Sequence, residues 1–200
     1  MDQHDGTTQL AGPGGATFSL SSTALDALSG VRRLVVPTDA DDQSMRRARG
    51  AAMAIAERYG TEVVLYDRSQ EHWSETPHPK GPLVADELDP ATHGHLVAQL
   101  GELADAGVSA TAFLATLPSI AAVLDLLQDV EVDAVLMPHP LGHRTWMDRL
   151  RGGDDQGEEV ARVAATQLGL HPIILEVDED GAIDRIVLDE SSSTDAARLT

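Results

Sequence analysis

The chain has no cysteine and a single lysine, Lys80, among its 200 residues. Without cysteine there is no disulfide framework, no thiol nucleophile and no cysteine-based zinc or iron-sulfur site. Any chemistry must come from oxygen, nitrogen and backbone groups. Basic residues as a whole are scarce, with 14 Lys and Arg against 33 Asp and Glu and a formal net charge of −19. A surface of that sign repels nucleic acid and anionic lipid, so neither a nucleic-acid nor a membrane partner is expected of this acidic protein. Also missing is any apolar run near the ~18 residues that would span a bilayer. The N-terminus lacks the basic start and apolar block of a secretory signal, and a cytoplasmic location is the expectation. There is no Walker loop, nucleophile elbow, paired catalytic carboxylate or histidine-serine arrangement, so no catalytic residue can be named.

What is present suits one α/β domain. Residues 1–22 are small and polar around Gly12-Pro13-Gly14-Gly15 and hold too little apolar surface to offset the entropy of ordering them. They read as a disordered tail. Residues 23–190 form the domain, and residues 191–200 a flexible C-terminal tail. Ser22 to Leu28 suits a short helix stopped by Gly30. Leu34, Val35 and Val36 suit a strand covered on both faces, ended at Pro37. Ala48, Ala51, Ala52, Ile55, Ala56 and Tyr59 then recur at helical spacing up to Gly60, and so many alanines on one face imply a helix lying close to a sheet. Arg46, Arg47 and Arg49 on that helix read as a solvated face.

Glu62 to Tyr66 is a second buried strand, and the polar stretch 67–90 after it is long enough to be functional or mobile. Leu96, Leu100 and Leu103 mark a helix, Val108 to Leu114 a third strand, Ser119 to Gln128 a short helix and Val132 to Met137 a fourth strand. Glu158 to Leu168 is the last helix and Pro172 to Val177 the fifth strand. Alternation of this kind predicts an open five-stranded parallel sheet, doubly wound by helices, because right-handed crossovers leave few other arrangements. After Asp178-Glu179-Asp180-Gly181, the segment Ile183 to Leu188 predicts an extra antiparallel edge strand at the C-terminus.

In such a sheet ligands bind beyond the carboxyl ends of the strands, where the strand order reverses. With the first strand central and the fourth beside it, Pro37, Thr38 and Asp39 would face Met137, Pro138, His139 and Gly142. Arg144, Arg149 and Arg151 form the densest positive segment of the chain, an anion clamp or solvated ion pairs. Gly142, Gly152 and Gly153 are a phosphate cradle or plain turn glycines. Asp39 has a bland reading as a helix cap or strand-end turn. His139 and His143 lie four apart, but Pro140 and Gly142 between them prevent a shared helical face, so no metal site is read.

Leu34-Val35-Val36-Pro37-Thr38-Asp39 with an acidic helix start, together with a fourth strand ending in methionine and a glycine-containing, arginine-rich loop, resembles the universal stress protein family. The resemblance runs from about Arg32 to Val177. It implies a stress-response regulatory or binding protein, commonly dimeric, with ATP and accompanying magnesium as the ligand of its nucleotide-binding members. In those members the loop reads glycine, two residues, glycine, nine residues, glycine, then serine or threonine. Here nine residues separate Gly142 from Gly152, His139 stands where the first glycine would be, and Gly153 replaces the hydroxyl residue. The resemblance makes Asp39 the acid that contacts the base and places Val64 where an adenine would be covered. It also implies a homodimer through the C-terminal edge strand. The prolines, which donate no N–H, and Asp154 and Asp155, which repel an anion, make this a degenerate nucleotide loop. The alternative is a nucleotide-free dimeric interaction module of the same fold. ATPase activity, if any, would be weak.

Overall fold

The structure is a computed structural model and describes residues 7–38, 43–67, 81–114, 127, 130–139, 162–169 and 171–186. Its strands are β1 (Thr8–Ala11), β2 (Thr17–Leu20), β3 (Arg33–Thr38), β4 (Glu62–Asp67), β5 (Ala110–Leu114), β6 (Ala134–Pro138), β7 (Ile173–Val177) and β8 (Ala182–Ile186). Its long helices are α2 (Gln43–Tyr59) and α3 (Pro90–Asp105), with a short α1 (Ser22–Leu28). All eight strands form one sheet in the order β1-β2-β8-β7-β6-β3-β4-β5. The five central crossover strands, β5-β4-β3-β6-β7, are parallel throughout. The predicted doubly wound sheet is therefore present, with β3 in its middle and β6 beside it.

Strands β3, β4 and β6 are buried on both faces, which is why their sequences are continuous apolar runs rather than alternating ones. On one face Leu34, Val36, Val63, Leu65, Leu136 and Leu175 pack beneath α1, α2 and α3. On the other, Val35, Val64, Tyr66, Val135, Met137 and Ile174 pack against Leu127, Val130, Val132 and Ala164. Helix α2 lies over β3 and β6, and its alanines 48, 51, 52, 54 and 56 are all buried. Small side chains let the helix backbone come close to the sheet, as the alanine stripe predicts.

One side chain sets the register at the centre. Asp133 Oδ2 accepts the backbone N–H groups of Arg32 at 2.8 Å and Arg33 at 3.0 Å. The Asp133 N–H donates to the Arg33 carbonyl at 3.2 Å, and the Asp133 carbonyl accepts from Ile173 at 3.1 Å. The starts of β3, β6 and β7 are thus tied through one residue.

The N-terminus departs from the expectation of a tail. Residues 8–20 form a hairpin, β1 antiparallel to β2, and β2 continues the sheet parallel to β8. Leu10, Phe18 and Leu20 are buried in the main core. Composition misjudged this segment because three well-placed apolar side chains, given a sheet edge to join, offset the ordering entropy that a local average suggests they cannot. The domain consequently begins before residue 23.

The C-terminal strand is antiparallel to β7, as predicted, through the register Ile174↔Ile186 to Val177↔Ile183. Asp178 Oδ1 organises its turn by accepting from Asp180 N–H at 2.9 Å and Ala182 N–H at 2.8 Å. It is not the edge of the sheet, however, because β2 lies beyond it. The pairing of β2 with β8 runs over Ser19↔Ala182 and Leu20↔Ile183, so β2 covers the first part of that strand's outer side. The expected helix over 119–128 falls almost wholly outside the described residues, as do residues 68–80 and 187–200. Residues 162–169 carry the end of the last predicted helix, with a π turn at Ala164–Leu168 and Gly169 in the left-handed conformation.

Candidate functional site at the reversal of strand order

Helices α2 and α3 cover one face of the sheet, and the segments that follow β5 and β6 contribute to the other. The reversal falls between β3 and β6. Their pairing consists of Leu34↔Ala134 and Val35↔Val135. By contrast, β3 stays paired with β4 as far as Thr38↔Asp67, and β6 with β7 as far as Pro138↔Val177. Beyond Val35 and Val135 the two central strands therefore have outer partners but not each other. Pro37 has no N–H to continue a ladder, which helps the crevice open there.

The walls of this crevice contain the predicted strand-end residues. Pro37 and Thr38 end β3, and Met137 and Pro138 end β6. Met137 belongs to the core cluster of Val35, Val64 and Val135, and strand alternation puts Pro37 on that same face. Val64 is fully buried and in register with Val35. It is a core residue of the floor rather than an exposed wall. His139 is exposed; its N–H donates to the Val177 carbonyl at 2.8 Å and its Nδ1 lies 3.0 Å from Glu176 Oε2. Asp39, Gly142, Arg144, Gly152 and Gly153 lie outside the described residues.

Thr38 faces the other way, into a polar cluster under α2 and α3. Its hydroxyl donates to Gln99 Oε1 at 2.7 Å and accepts from Arg49 Nη1 at 3.5 Å. Arg49 Nη2 lies 3.6 Å from Glu102 Oε2, whose side chain is 60% exposed. Burial lowers the pKa of the Arg49 guanidinium, with Glu102 opposing that shift and Arg46 adding to it. Next to Thr38 in register, Oδ1 of buried Asp67 lies 3.3 Å from His95 Nε2. Thr38 is thus committed to holding the end of β3 against the helices.

Arg49 corrects the reading of the α2 arginines as a solvated face, since it is only 7% exposed. The signal was available: Met45, Arg49, Ala52 and Ala56 recur at helical spacing, and all four are buried. Gln99 carried the same signal, lying on the buried stripe of Leu96, Leu100 and Leu103, whereas Asp67 and His95 had none, because they meet only when α3 folds over the ends of β3 and β4.

Chemically, the described strand ends, Pro37, Met137 and Pro138, are apolar and bring few hydrogen-bond donors. Among the described residues no group of His, Cys, Asp or Glu is placed to hold a metal ion. A shallow depression of about 560 Å³ lies at the opposite end of the sheet, against Val31, Arg32, Tyr59, Glu62 and Ser109. Ligands of open α/β sheets sit at the carboxyl ends of the strands, and this depression is at the amino ends.

No protein-family model and no curated protein sequence matches this chain. Among solved structures, a universal stress protein in complex with cAMP is 19% identical, with a TM-score of 0.47 over 74% of this chain and 97% of that one. A universal stress family protein from Burkholderia pseudomallei is 13% identical, with a TM-score of 0.42 over 74% and 97%. A universal stress protein from Archaeoglobus fulgidus is 15% identical, with a TM-score of 0.41 over 76% and 93%. The fold itself is defined by the chain's own strand order and register; these solved structures that resemble it are universal stress proteins.

Proposed function

We propose that this chain is a cytoplasmic stress-response binding module of the universal stress type, with an adenine nucleotide as its ligand in the crevice between β3 and β6. The observation that carries the reading is the parting of these strands beyond Val35 and Val135 at the reversal of strand order. The base would enter between Pro37 and Met137, with Asp39, next in the chain after Thr38, meeting its polar edge. The phosphates would be met by the backbone of Gly142, Gly152 and Gly153 and by Arg144. ATP with magnesium is the leading candidate. Backbone N–H groups of glycines approach phosphate closely, and an arginine offsets the strong negative field of the chain.

A second reading, a nucleotide-free interaction module of the same fold, is favoured by one observation. Pro138 has no N–H, and the N–H of His139 is spent on Val177. The beginning of the loop after β6 therefore brings no free backbone donor to a phosphate, and backbone donors must come from further along.

Equilibrium dialysis against ATP with magnesium, and against cAMP as the ligand of one similarly folded protein, separates the readings. Retention that is lost in Gly152→Val supports the nucleotide site. No retention at millimolar nucleotide removes it and leaves the nucleotide-free module.

A further inference from the structure

We propose that the N-terminal hairpin is an intramolecular edge guard: it pairs with the start of the outer edge of β8, at Ala182 and Ile183, where a second copy of this chain would otherwise join, and so holds the protein monomeric. An open sheet ends in rows of unpaired N–H and C=O groups that recruit other strands, and short or covered edges are how folded chains prevent it. Without residues 8–20 the outermost strand on this side would be β8. Two carbonyls at the start of that edge are taken instead by the chain itself, Gly181, just before β8, accepting Ser19 N–H at 2.9 Å and Ile183 accepting Ser21 N–H at 3.1 Å.

The guard is anchored by shape as well as by these bonds. Phe18, 4% exposed, lies against Gly12 of its own turn, Gly50 of α2 and Gly181 of the β7–β8 turn. A Cβ on Gly12 would stand 2.4 Å from Phe18 Cε2, and one on Gly181 would stand 2.8 Å from the Thr17 carbonyl oxygen. Gly181 also has a φ of +84°, so its turn and its fit to the hairpin both exclude a side chain. At Gly50 the ring reaches a helix backbone that has no side chain there. Phe18 therefore sits in a socket with walls from three separate parts of the chain.

The other side of the sheet is blunted too. Leu83 bridges the outer edge of β5, with Leu83 N–H donating to the Ala112 carbonyl at 2.7 Å and Ala112 N–H to the Leu83 carbonyl at 2.8 Å. What remains outside β2 is β1, a strand of four residues. A net charge of −19 adds like-charge repulsion between copies.

Sedimentation velocity and hydrogen exchange on the full chain test the proposal. The unmodified protein is expected at its monomer mass of 21.2 kDa across micromolar concentrations, with slow exchange at residues 8–20. Phe18→Ala is expected to speed exchange over those residues and to form a dimer whose share rises with concentration. An added peptide of residues 7–21 should return that variant to monomer. If circular dichroism shows Phe18→Ala to be unfolded, Ser19→Pro takes its place, since it removes one edge hydrogen bond and no core side chain. A dimeric unmodified protein overturns the proposal. So does a folded variant whose hairpin exchanges freely while its mass stays that of the monomer, or one whose hairpin exchange is unchanged.

Discussion

Thr38 at the end of β3 and Gln99 in the middle of α3 share a buried hydrogen bond of 2.7 Å, and it fixes which way the end of the central strand faces. Replacing Thr38 by Val should cost about 1–3 kcal/mol, because Gln99 is left buried without that partner. Gln99→Leu should cost a similar amount, and the double variant less than the sum of the two. Urea unfolding of the four proteins measures this. Strict additivity would mean that the bond contributes nothing beyond packing.

Arg49 behaves differently, since its charge is buried while its carboxylate partner Glu102 is mostly exposed. Burial already works against the charged form. Arg49→Met keeps the volume and removes the desolvation cost, so stability should be unchanged or higher. A loss on the order of 3 kcal/mol in thermal unfolding would instead make the guanidinium a structural necessity.

Asp133 is the third test. Its carboxylate accepts the N–H groups of Arg32, just before β3, and of Arg33, its first residue, so Asp133→Ala leaves both without that acceptor. A loss of about 1–3 kcal/mol is expected, with exchange at Arg32 and Arg33 rising more than at β5. Uniform exchange across the sheet would mean that the residue is not a local tie.

Asp89 gives a pH dependence. The Thr92 hydroxyl, then the Ala91 N–H, hold its carboxyl below the ordinary carboxylate value at the start of α3. A depressed folded pKa means that the stabilisation is complete above the unfolded pKa and is lost as pH falls through the folded one. The first turn of α3 should therefore loosen only below about pH 4. Amide shifts of Ala91 and Thr92 followed by NMR report it. In Thr92→Val the midpoint should move up, towards the ordinary value; an unmoved midpoint would remove the Thr92 hydroxyl as the main cause.

Much of the frame is legible locally. The runs Leu34 to Val36, Val63 to Leu65 and Ala134 to Met137 are continuous because both faces are covered. Helix α2 announces itself by its alanines. The reversal between β3 and β6 was expected on an assumed strand order, which the fold bears out, and Pro37 and Met137 lie near the ends of those strands. The loop residues Asp39, Gly142, Arg144, Gly152 and Gly153 remain as the sequence presents them.

By itself, then, the sequence determined the layers, the parallel core and the turn at Asp178 to Gly181, since each depends on periodicity or on residues near one another in the chain, whereas the place of the crevice needed the strand order. Only the tertiary structure decided that Arg49 meets Thr38, that Thr38 faces Gln99, and that Phe18 closes the sheet against Gly50 and Gly181. Those outcomes depend on partners from 11 to 163 positions away (38 to 49 and 18 to 181). A local pattern reports only that a side chain has a buried face available; the identity of what covers it is set when distant segments meet.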